Sequence, residues 1–172
     1  MQRGKIMDKI MFCTDGKVGS ERCPGAHDIV EYYTQITLNG QCVILEPKPD
    51  GEKLVGKYYS IDVRSAKTVD TIEIDHGQRI EGKKVVFTGT FNLGIEYLAN
   101  DSAQNVHYFE YKVPFSSFIV PCVDQREHLF PPSLNLEDYS VHACVEHLQV
   151  TRISERIFER AIILMVWLQK SD

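Results

Sequence analysis

The sequence predicts an all-β protein, with an antiparallel β-sandwich or barrel-like domain that follows an N-terminal extension. The stretch from Lys83 to Leu98 alternates apolar and polar residues with a period of two, as a half-buried strand does. Eight tyrosines and eight phenylalanines accompany many β-branched residues, a composition typical of strands. About seven strand-like segments are separated by turn signals, which is the pattern of sandwiches and barrels.

The alternating segment is the centre of the predicted fold. A helix would scatter its apolar residues around the whole circumference, whereas a strand places them on one face. Gly89 and Gly94 within the segment predict a bend, a bulge or a close approach of other atoms. The predicted buried face consists of Val85, Phe87, Gly89, Phe91, Leu93, Ile95 and Tyr97.

The first strand-like segment runs from Tyr32 to Leu45. Its Asn39-Gly40 pair predicts either a tight turn or a bulge in one long strand. The prolines at 47 and 49 exclude a central strand just after this segment. Asp50 is a candidate cap for one helical turn over residues 52–55.

Two further alternating segments, residues 57–64 and 67–75, precede the central strand. The apolar positions change phase within the second one, so we expect an irregularity near Asp70-Thr71. Turns are expected at residues 76–78 and 81–82, where glycines occur beside polar residues.

After the central strand, residues 100–105 form a polar loop, and Val106 to Val113 form the return strand. Pro114 is predicted to end the pairing of that strand. Residues 125–138 contain two adjacent prolines and are predicted to be a surface loop. Residues 139–153 are predicted to form another strand.

The last segment, residues 156–169, follows a turn at Ser154-Glu155 and is apolar on both sides. Periodicity alone permits a helix or a strand that is buried on both faces. Its β-branched residues favour the strand. We interpret Ile162, Leu164, Val166 and Trp167 of this segment as a candidate assembly interface.

The chain has 172 residues, which suits one domain. Residues 1–33 are rich in glycine and poor in apolar residues after Phe12, so we interpret them as an extension with a weak core. Residues 34–172 are the predicted β domain. Extensions of this kind can be ordered by a partner.

The formal net charge is −5 and the basic residues are scattered, so nucleic-acid binding is not expected. The longest apolar run, Ala161 to Leu168, is far shorter than the roughly 20 residues of a transmembrane helix. The N-terminus is too polar for the core of a signal peptide. We therefore expect synthesis in the cytoplasm without a signal peptide.

Five cysteines leave at least one thiol without a partner inside the chain. Cytoplasmic thiols are normally reduced, whereas an odd cysteine in a protein that ends outside the cell suggests a bond between subunits. The candidates for such inter-subunit disulfides are Cys13, Cys23, Cys42, Cys122 and Cys144.

Candidate metal and nucleophile sites are weak. Cys13, Cys23 and His27 match no standard zinc spacing and lack a fourth ligand nearby. His142 and Cys144 would share one face of a strand, but a nucleophilic pair also needs an orienting group and an oxyanion pocket. We therefore expect no catalytic, cofactor or metal site, and no enzyme activity.

Carboxylates and tyrosines offer a further possibility of a glycan or ion site. Solvated strand faces, core packing and interfaces are the more common use of these side chains. The carboxylates are Asp62, Asp70, Glu73, Asp75 and Glu96, and the tyrosines are Tyr32, Tyr33, Tyr58 and Tyr59.

Four short motifs occur in a defined order along the chain. They are the box Leu45-Glu46-Pro47-Lys48-Pro49-Asp50, the alternating strand from Val85 to Tyr97, the segment from Val113-Pro114-Phe115 to Ile119-Val120-Pro121, and a final hairpin with Arg152 or Arg156 before an apolar strand. In this order the motifs resemble the SPOCS domain of SipL-like spore coat and spore morphogenesis proteins of clostridia. The resemblance covers roughly Tyr33 to Leu168.

The resemblance implies a binding or assembly module. The chain looks like a small, self-assembling structural protein of the spore coat, exosporium or a spore appendage, made in the mother cell. Its implied partners are further copies of itself and other spore coat proteins. The alternative is a monomeric adaptor that binds a coat morphogenetic protein through a sheet edge.

Overall fold

Two antiparallel β-sheets pack against each other in this protein. The computed structural model describes residues 23–24, 30, 32–75, 77–119 and 129–171. A 3-10 helix spans Leu136–Asp138. The strands in these ranges are β1 (Tyr32–Thr37), β2 (Gly40–Val43), β3 (Gly51–Asp75), β4 (Gln78–Ala99), β5 (Val106–Ile119), β6 (Tyr139–Arg152) and β7 (Ile157–Lys170). The predicted all-β class is confirmed.

One sheet has the strand order β3-β4-β5, and in the other β7 pairs with β6 along one edge and with β1 and β2 along the other. The pairing runs from Tyr32 opposite Leu168 in β1 to Val43 opposite Ile157 in β2. β1 and β2 are therefore consecutive parts of one interrupted edge and do not form a hairpin. Of the two interpretations of Asn39-Gly40, the interruption within one long strand is the correct one.

The apolar face of β4 forms the centre of the core, as the alternation predicts. Val85, Phe87, Phe91, Leu93, Ile95 and Tyr97 are each 0% exposed. Phe158 of β7 lies across from them, with its ring centre 6.3 Å from that of Tyr97 and 6.1 Å from that of Phe109. The two sheets therefore share one core.

β7 is a strand, which settles the ambiguity between helix and strand. Ile162, Leu164 and Val166 face the three-stranded sheet and are fully buried, and Trp167 on the outer face of β7 is 4% exposed. These four residues were the candidate assembly interface, and the structure corrects that prediction. β7 has paired strands on both edges, and these four side chains are themselves buried, so they present no surface to a neighbour.

β3 and β4 form one long hairpin, and several local predictions fail in it. The predicted turn after Asp75 is confirmed, since β4 begins at Gln78. Residues 52–55 are strand and not a helical turn, and Glu81-Gly82 lies within β4. The register shifts occur at Gly51/Lys53, Leu54/Gly56 and Val63/Ser65, and the pairing is regular at Asp70-Thr71.

Pro114 does not end the pairing of β5. It lies opposite Thr90, and β5 continues to Ile119. β5 is an edge strand of its sheet, where a proline whose nitrogen faces outward removes no ladder hydrogen bond. The predicted loop at residues 125–138 is also only partly a surface loop, because Phe130 is 1% exposed and pairs with Lys83.

The predicted extension, residues 1–33, lies largely outside the described residues. Cys23 and Val30 are described, and both pack against the edge of the core. β1 already begins at Tyr32. The proposed domain boundary after residue 33 stays a prediction.

Gly89 has a close approach on both sides of its strand, as one of the three alternatives predicted. A Cβ atom here would overlap the ring of Phe115 and would lie 2.5 Å from the carbonyl oxygen of Asp62. Backbone atoms cannot move away cheaply, so only glycine fits between these two neighbours.

We expect Gly89→Ala to lower the free energy of unfolding by about 1–3 kcal/mol, because the added methyl group overpacks the core. Urea unfolding followed by intrinsic fluorescence measures this change. Ser116→Ala, an exposed site on the neighbouring strand, is the control and should change the value by less than about 0.5 kcal/mol. Equal values for the two variants would contradict the close approach.

Candidate functional site

Residues 44–51 and the side chains of Tyr97, Arg152 and Arg156 meet at one corner of the molecule, here called the arginine corner. Arg156 donates from Nε and Nη2 to the carbonyl oxygen of Ile44 at 3.2 and 2.9 Å. Its Nη2 also donates to the carbonyl oxygen of Lys48 at 3.2 Å. Its Nη1 donates to Oδ1 of Asp50 at 2.5 Å. One guanidinium thus holds most of the proline-containing connection between β2 and β3.

Other groups complete the arginine corner. The Tyr97 hydroxyl donates to the carbonyl oxygen of Pro49 at 3.0 Å, and Nε of Arg152 donates to that of Gly51 at 2.9 Å. The backbone nitrogen of Asn100 donates to the carbonyl oxygen of Asp50 at 2.8 Å. The prolines keep the β2–β3 connection out of a sheet ladder. Its carbonyl oxygens therefore accept hydrogen bonds from side chains and from backbone N–H groups of turns.

The electrostatics of the arginine corner favour a structural role. The hydrogen bond to Asp50, with the charges of Glu46 and Asp50, raises the pKa of Arg156. Burial raises the pKa of Tyr97. Both shifts reinforce the protonation states that these groups already have at neutral pH, so neither residue is prepared for proton transfer.

A disulfide links Cys23 to Cys144 of β6, with the two Cα atoms 5.3 Å apart. Cys144 lies opposite Met165 and His142 opposite Trp167, on the outer face of the four-stranded sheet. The disulfide therefore attaches the N-terminal segment to this outer face. Both sulfurs are used within one chain, which replaces the predicted inter-subunit role of these two cysteines.

His142 does not activate a thiolate. Its partner in the considered pair, Cys144, is oxidised, and the imidazole stacks on Trp167 with ring centres 5.4 Å apart. Its Nε2 is 2.7 Å from Oγ of Ser140, and burial lowers the pKa of the ring. These contacts are those of a histidine packed within a sheet.

The remaining cysteines divide into two groups. Cys42 is a free thiol that is 0% exposed, and burial raises its pKa although Arg160 lowers it. It does not reach the surface, so it is not available for a bond between subunits. Cys13 and Cys122 lie outside the described residues, as does His27 of the considered metal site.

Within the described residues, no group of three or more histidine, cysteine or acidic side chains is placed to bind a metal. Cys23 is oxidised and cannot serve as a thiolate ligand.

The four tyrosines of the possible glycan site do not lie together. Tyr32 packs against Phe130 at 4.9 Å between ring centres, and Tyr59 stacks on Phe91 at 5.8 Å inside the core. Tyr33 lies opposite Trp167 on the outer face of the four-stranded sheet. Only Tyr58 lies on the outer face of the three-stranded sheet.

Tyr58 belongs to a cluster that the sequence did not reveal, here called the tyrosine–glutamate patch: Tyr58, Glu96, Tyr108 and Glu110. The pairing places Glu96 opposite Tyr108, and Gly94 opposite both Tyr58 and Glu110. The Tyr58 hydroxyl donates to Oε2 of Glu96 at 2.8 Å. Of the five carboxylates considered from sequence, Glu96 alone contributes to this patch.

Gly94 explains the shape of the tyrosine–glutamate patch. A Cβ atom at this position would lie 2.5 Å from Oη and 2.7 Å from Cε2 of Tyr108. The Tyr108 ring therefore lies flat against the backbone of β4, and it is 48% exposed. Burial of its inner side raises the pKa of Tyr108, and the charges of Glu110 and Glu96 raise it further. The patch is thus aromatic and negatively charged.

A cavity of about 280 Å³ adjoins the tyrosine–glutamate patch between β2 and β5. Val43 and Leu45 form an apolar wall of this cavity, and Leu45 is 73% exposed. The full lining is Val43, Leu45, Lys48, Tyr108, Phe109, Glu110 and Tyr111.

The end of the β3–β4 hairpin forms a second candidate surface, here called the β-arm: residues 69–75 of β3 and 78–82 of β4. β5 pairs with β4 only as far as Val85, and Phe130 adds one bridge at Lys83. Among the described residues, no further strand pairs with the β-arm. Leu129 and Phe130 lie against Gly82, whereas Val69 and Ile72 are 39% and 54% exposed. Within the described residues, the β-arm is therefore a two-stranded ribbon that exposes apolar side chains.

Residues 57–153, more than half of the chain, match the family model described as SipL, SPOCS domain. The chain belongs to the SPOCS-domain family. This confirms the resemblance that the four motifs indicate, and it relates the protein to spore coat morphogenesis. No curated protein and no solved structure matches this SPOCS domain significantly. Within the described residues, no helix has the length and apolarity needed to cross a membrane.

We expect Arg156→Lys to lower the melting temperature of this SPOCS domain by several degrees, because an ammonium group cannot reproduce the planar fork that contacts three acceptors. Differential scanning calorimetry measures the change. Arg64→Lys is the matched control, since Arg64 is 63% exposed and has one 3.4 Å contact with Asp62. A similar small shift in both variants would show that the arginine corner does not organise the β2–β3 connection.

We expect Cys23→Ser to lower the free energy of unfolding by about 2–5 kcal/mol, because the bond joins residues separated by 121 positions and restricts the unfolded chain. Urea unfolding with and without reductant measures the difference. Reductant should destabilise the wild-type chain and leave the variant unchanged. Peptide mapping that finds Cys23 bonded to another chain would contradict the internal pairing.

Proposed function

We propose that this protein is a structural, self-assembling component of the spore surface, in the coat, the exosporium or an appendage. Its subunits are joined through β-edge contacts, and disulfides can reinforce the assembly. The single observation that carries the proposal is the β-arm, which projects past the last pairing of β5. Family membership supplies the link to the spore coat.

The physical argument concerns the open edges of the β-arm. A two-stranded ribbon is marginally stable in water by itself, and its unpaired N–H and C=O groups are templates for another strand. A sheet edge of a second subunit would supply the hydrogen bonds, and its side chains would lie beside Val69 on one face of the ribbon and beside Ile72 on the other. The β-arm is therefore best accounted for as a part that another subunit completes.

Two further observations support an architectural role and not an enzymatic one. The polar groups of the arginine corner are engaged in holding the β2–β3 connection. The Cys23–Cys144 disulfide suits a protein that ends in an oxidising layer outside the reducing cytoplasm. Cys13 and Cys122 remain the candidates for bonds between subunits.

We expect Ile72→Lys to raise the concentration needed for assembly at least tenfold, because a charge on the β-arm opposes burial against another subunit. The new lysine would face Glu81, which lies opposite residue 72, so the hairpin itself should persist. Light scattering after size exclusion and negative-stain microscopy measure the assembly.

Ile153→Lys is the matched control for this test, since Ile153 is 55% exposed and lies outside the β-arm. It should assemble like the wild-type chain. A wild-type protein that stays monomeric at high concentration would favour the adaptor alternative. Assembly that is equally sensitive to both substitutions would remove the β-arm from the mechanism.

A further inference from the structure

We propose that the tyrosine–glutamate patch and its adjoining cavity bind residues 3–12 of a second copy of the chain. The inference rests on the self-assembly proposed above and identifies a surface and its partner segment. The contact is distinct from the β-arm. The patch lies on the outer face of the three-stranded sheet, and the cavity lies at the β5 edge of that sheet, beside β2.

The receiving surface carries two carboxylates on an aromatic base. Glu96 accepts a hydrogen bond from Tyr58, and Glu110 forms no ion pair among the described residues. Glu96 lies opposite Tyr108 and Glu110 lies opposite Gly94, so the two carboxylates are diagonal neighbours on one face of the sheet. An exposed tyrosine face next to carboxylates attracts ammonium and guanidinium groups. Lys112, opposite Asn92 in the next row, and Lys48 of the cavity border this surface.

The cavity beside the patch provides the apolar half of the site. Val43 and Leu45 are exposed on β2 and just after it, and they face the β5 residues that line the same cavity. A segment that fits here must therefore present apolar side chains on one side and basic side chains on the other.

The sequence near the N-terminus has this alternation at most positions. The odd positions carry Arg, Lys and Lys at 3, 5 and 9 together with Met at 7 and 11, whereas the even positions carry Ile, Ile and Phe at 6, 10 and 12 together with Asp at 8. In an extended conformation, odd and even positions point to opposite sides. The segment would thus direct its basic side chains to Glu96 and Glu110 and its apolar side chains to the cavity.

The charge distribution of the whole chain supports this pairing. Residues 1–22 contain five basic and three acidic residues, a net charge of +2, whereas the whole chain carries −5. The remainder therefore carries −7. A basic segment attached to an acidic body is attracted to the acidic surface of a neighbour.

The position of the disulfide favours a neighbour over the same chain. Cys23 is bonded to Cys144 on the outer face of the four-stranded sheet, and the tyrosine–glutamate patch lies on the opposite side of the two-layer fold. The 11 residues from Phe12 to Cys23 span up to about 36 Å when extended, enough to reach a molecule stacked on that face. Such a head-to-tail contact uses two different surfaces and continues from copy to copy.

The test measures binding of a fluorescently labelled peptide of residues 1–12 to the full chain by anisotropy. The receptor carries Lys5→Glu and Lys9→Glu, so that its own N-terminal segment does not compete. We expect saturable binding that weakens at high salt. Adding Glu110→Lys to the receptor should weaken binding at least tenfold, and adding Glu137→Lys, an exposed site on the 3-10 helix, should change it less than twofold.

A peptide with Lys5→Glu and Lys9→Glu should bind the Glu110→Lys receptor better than the natural peptide does, because the charges are exchanged. Absent binding of the natural peptide, or binding that Glu110→Lys leaves unchanged, would overturn the inference. Neither result depends on polymer formation. Failure of the β-arm proposal would instead appear as a chain that binds the peptide but whose assembly Ile72→Lys leaves unchanged.

Discussion

The burial of one apolar face of β4 is the constraint on which the rest of the structure depends. Phe87, Phe91 and Tyr97 point from the middle of the three-stranded sheet and must be covered. The four-stranded sheet provides the cover, and its central strand β7 contributes Phe158 and a row of aliphatic side chains. This explains why the inward-facing residues of β7 between Ile162 and Leu168 are apolar, and why they belong to the core.

The alternation of apolar and polar residues predicted the strands well because it reflects which face of a strand is buried. It does not reveal which strand lies next to it. The prediction for Pro114 is wrong for that reason, because only the position of β5 at a sheet edge makes a proline acceptable there. Residues 67–75 alternate as a half-buried strand does, yet much of that stretch extends past the core. The β-arm therefore could not be recognised from periodicity.

The candidate sites show the same division between local and long-range information. The motifs indicated that Arg152 or Arg156 matters, and both contact the β2–β3 region. The sequence could not assign the partner of Cys23, because Cys144 is 121 positions away. The sequence singles out Tyr58 but not Tyr108 or Glu110, since only the register across Gly94 brings these residues together. Pairing partners, and not residue types, define this patch.

The two outer faces of the fold differ in a way that bears on how copies can associate. One face carries the attachment point of the N-terminal segment at Cys144, and the other carries an acidic, aromatic patch beside an apolar cavity. Identical faces would favour closed dimers, whereas two unlike, complementary faces give heterologous contacts that form rings or open filaments. A β-arm with free edges would add lateral contacts to such a series. Under the proposed function, the fold therefore supplies two independent directions of growth, as an extended surface layer requires.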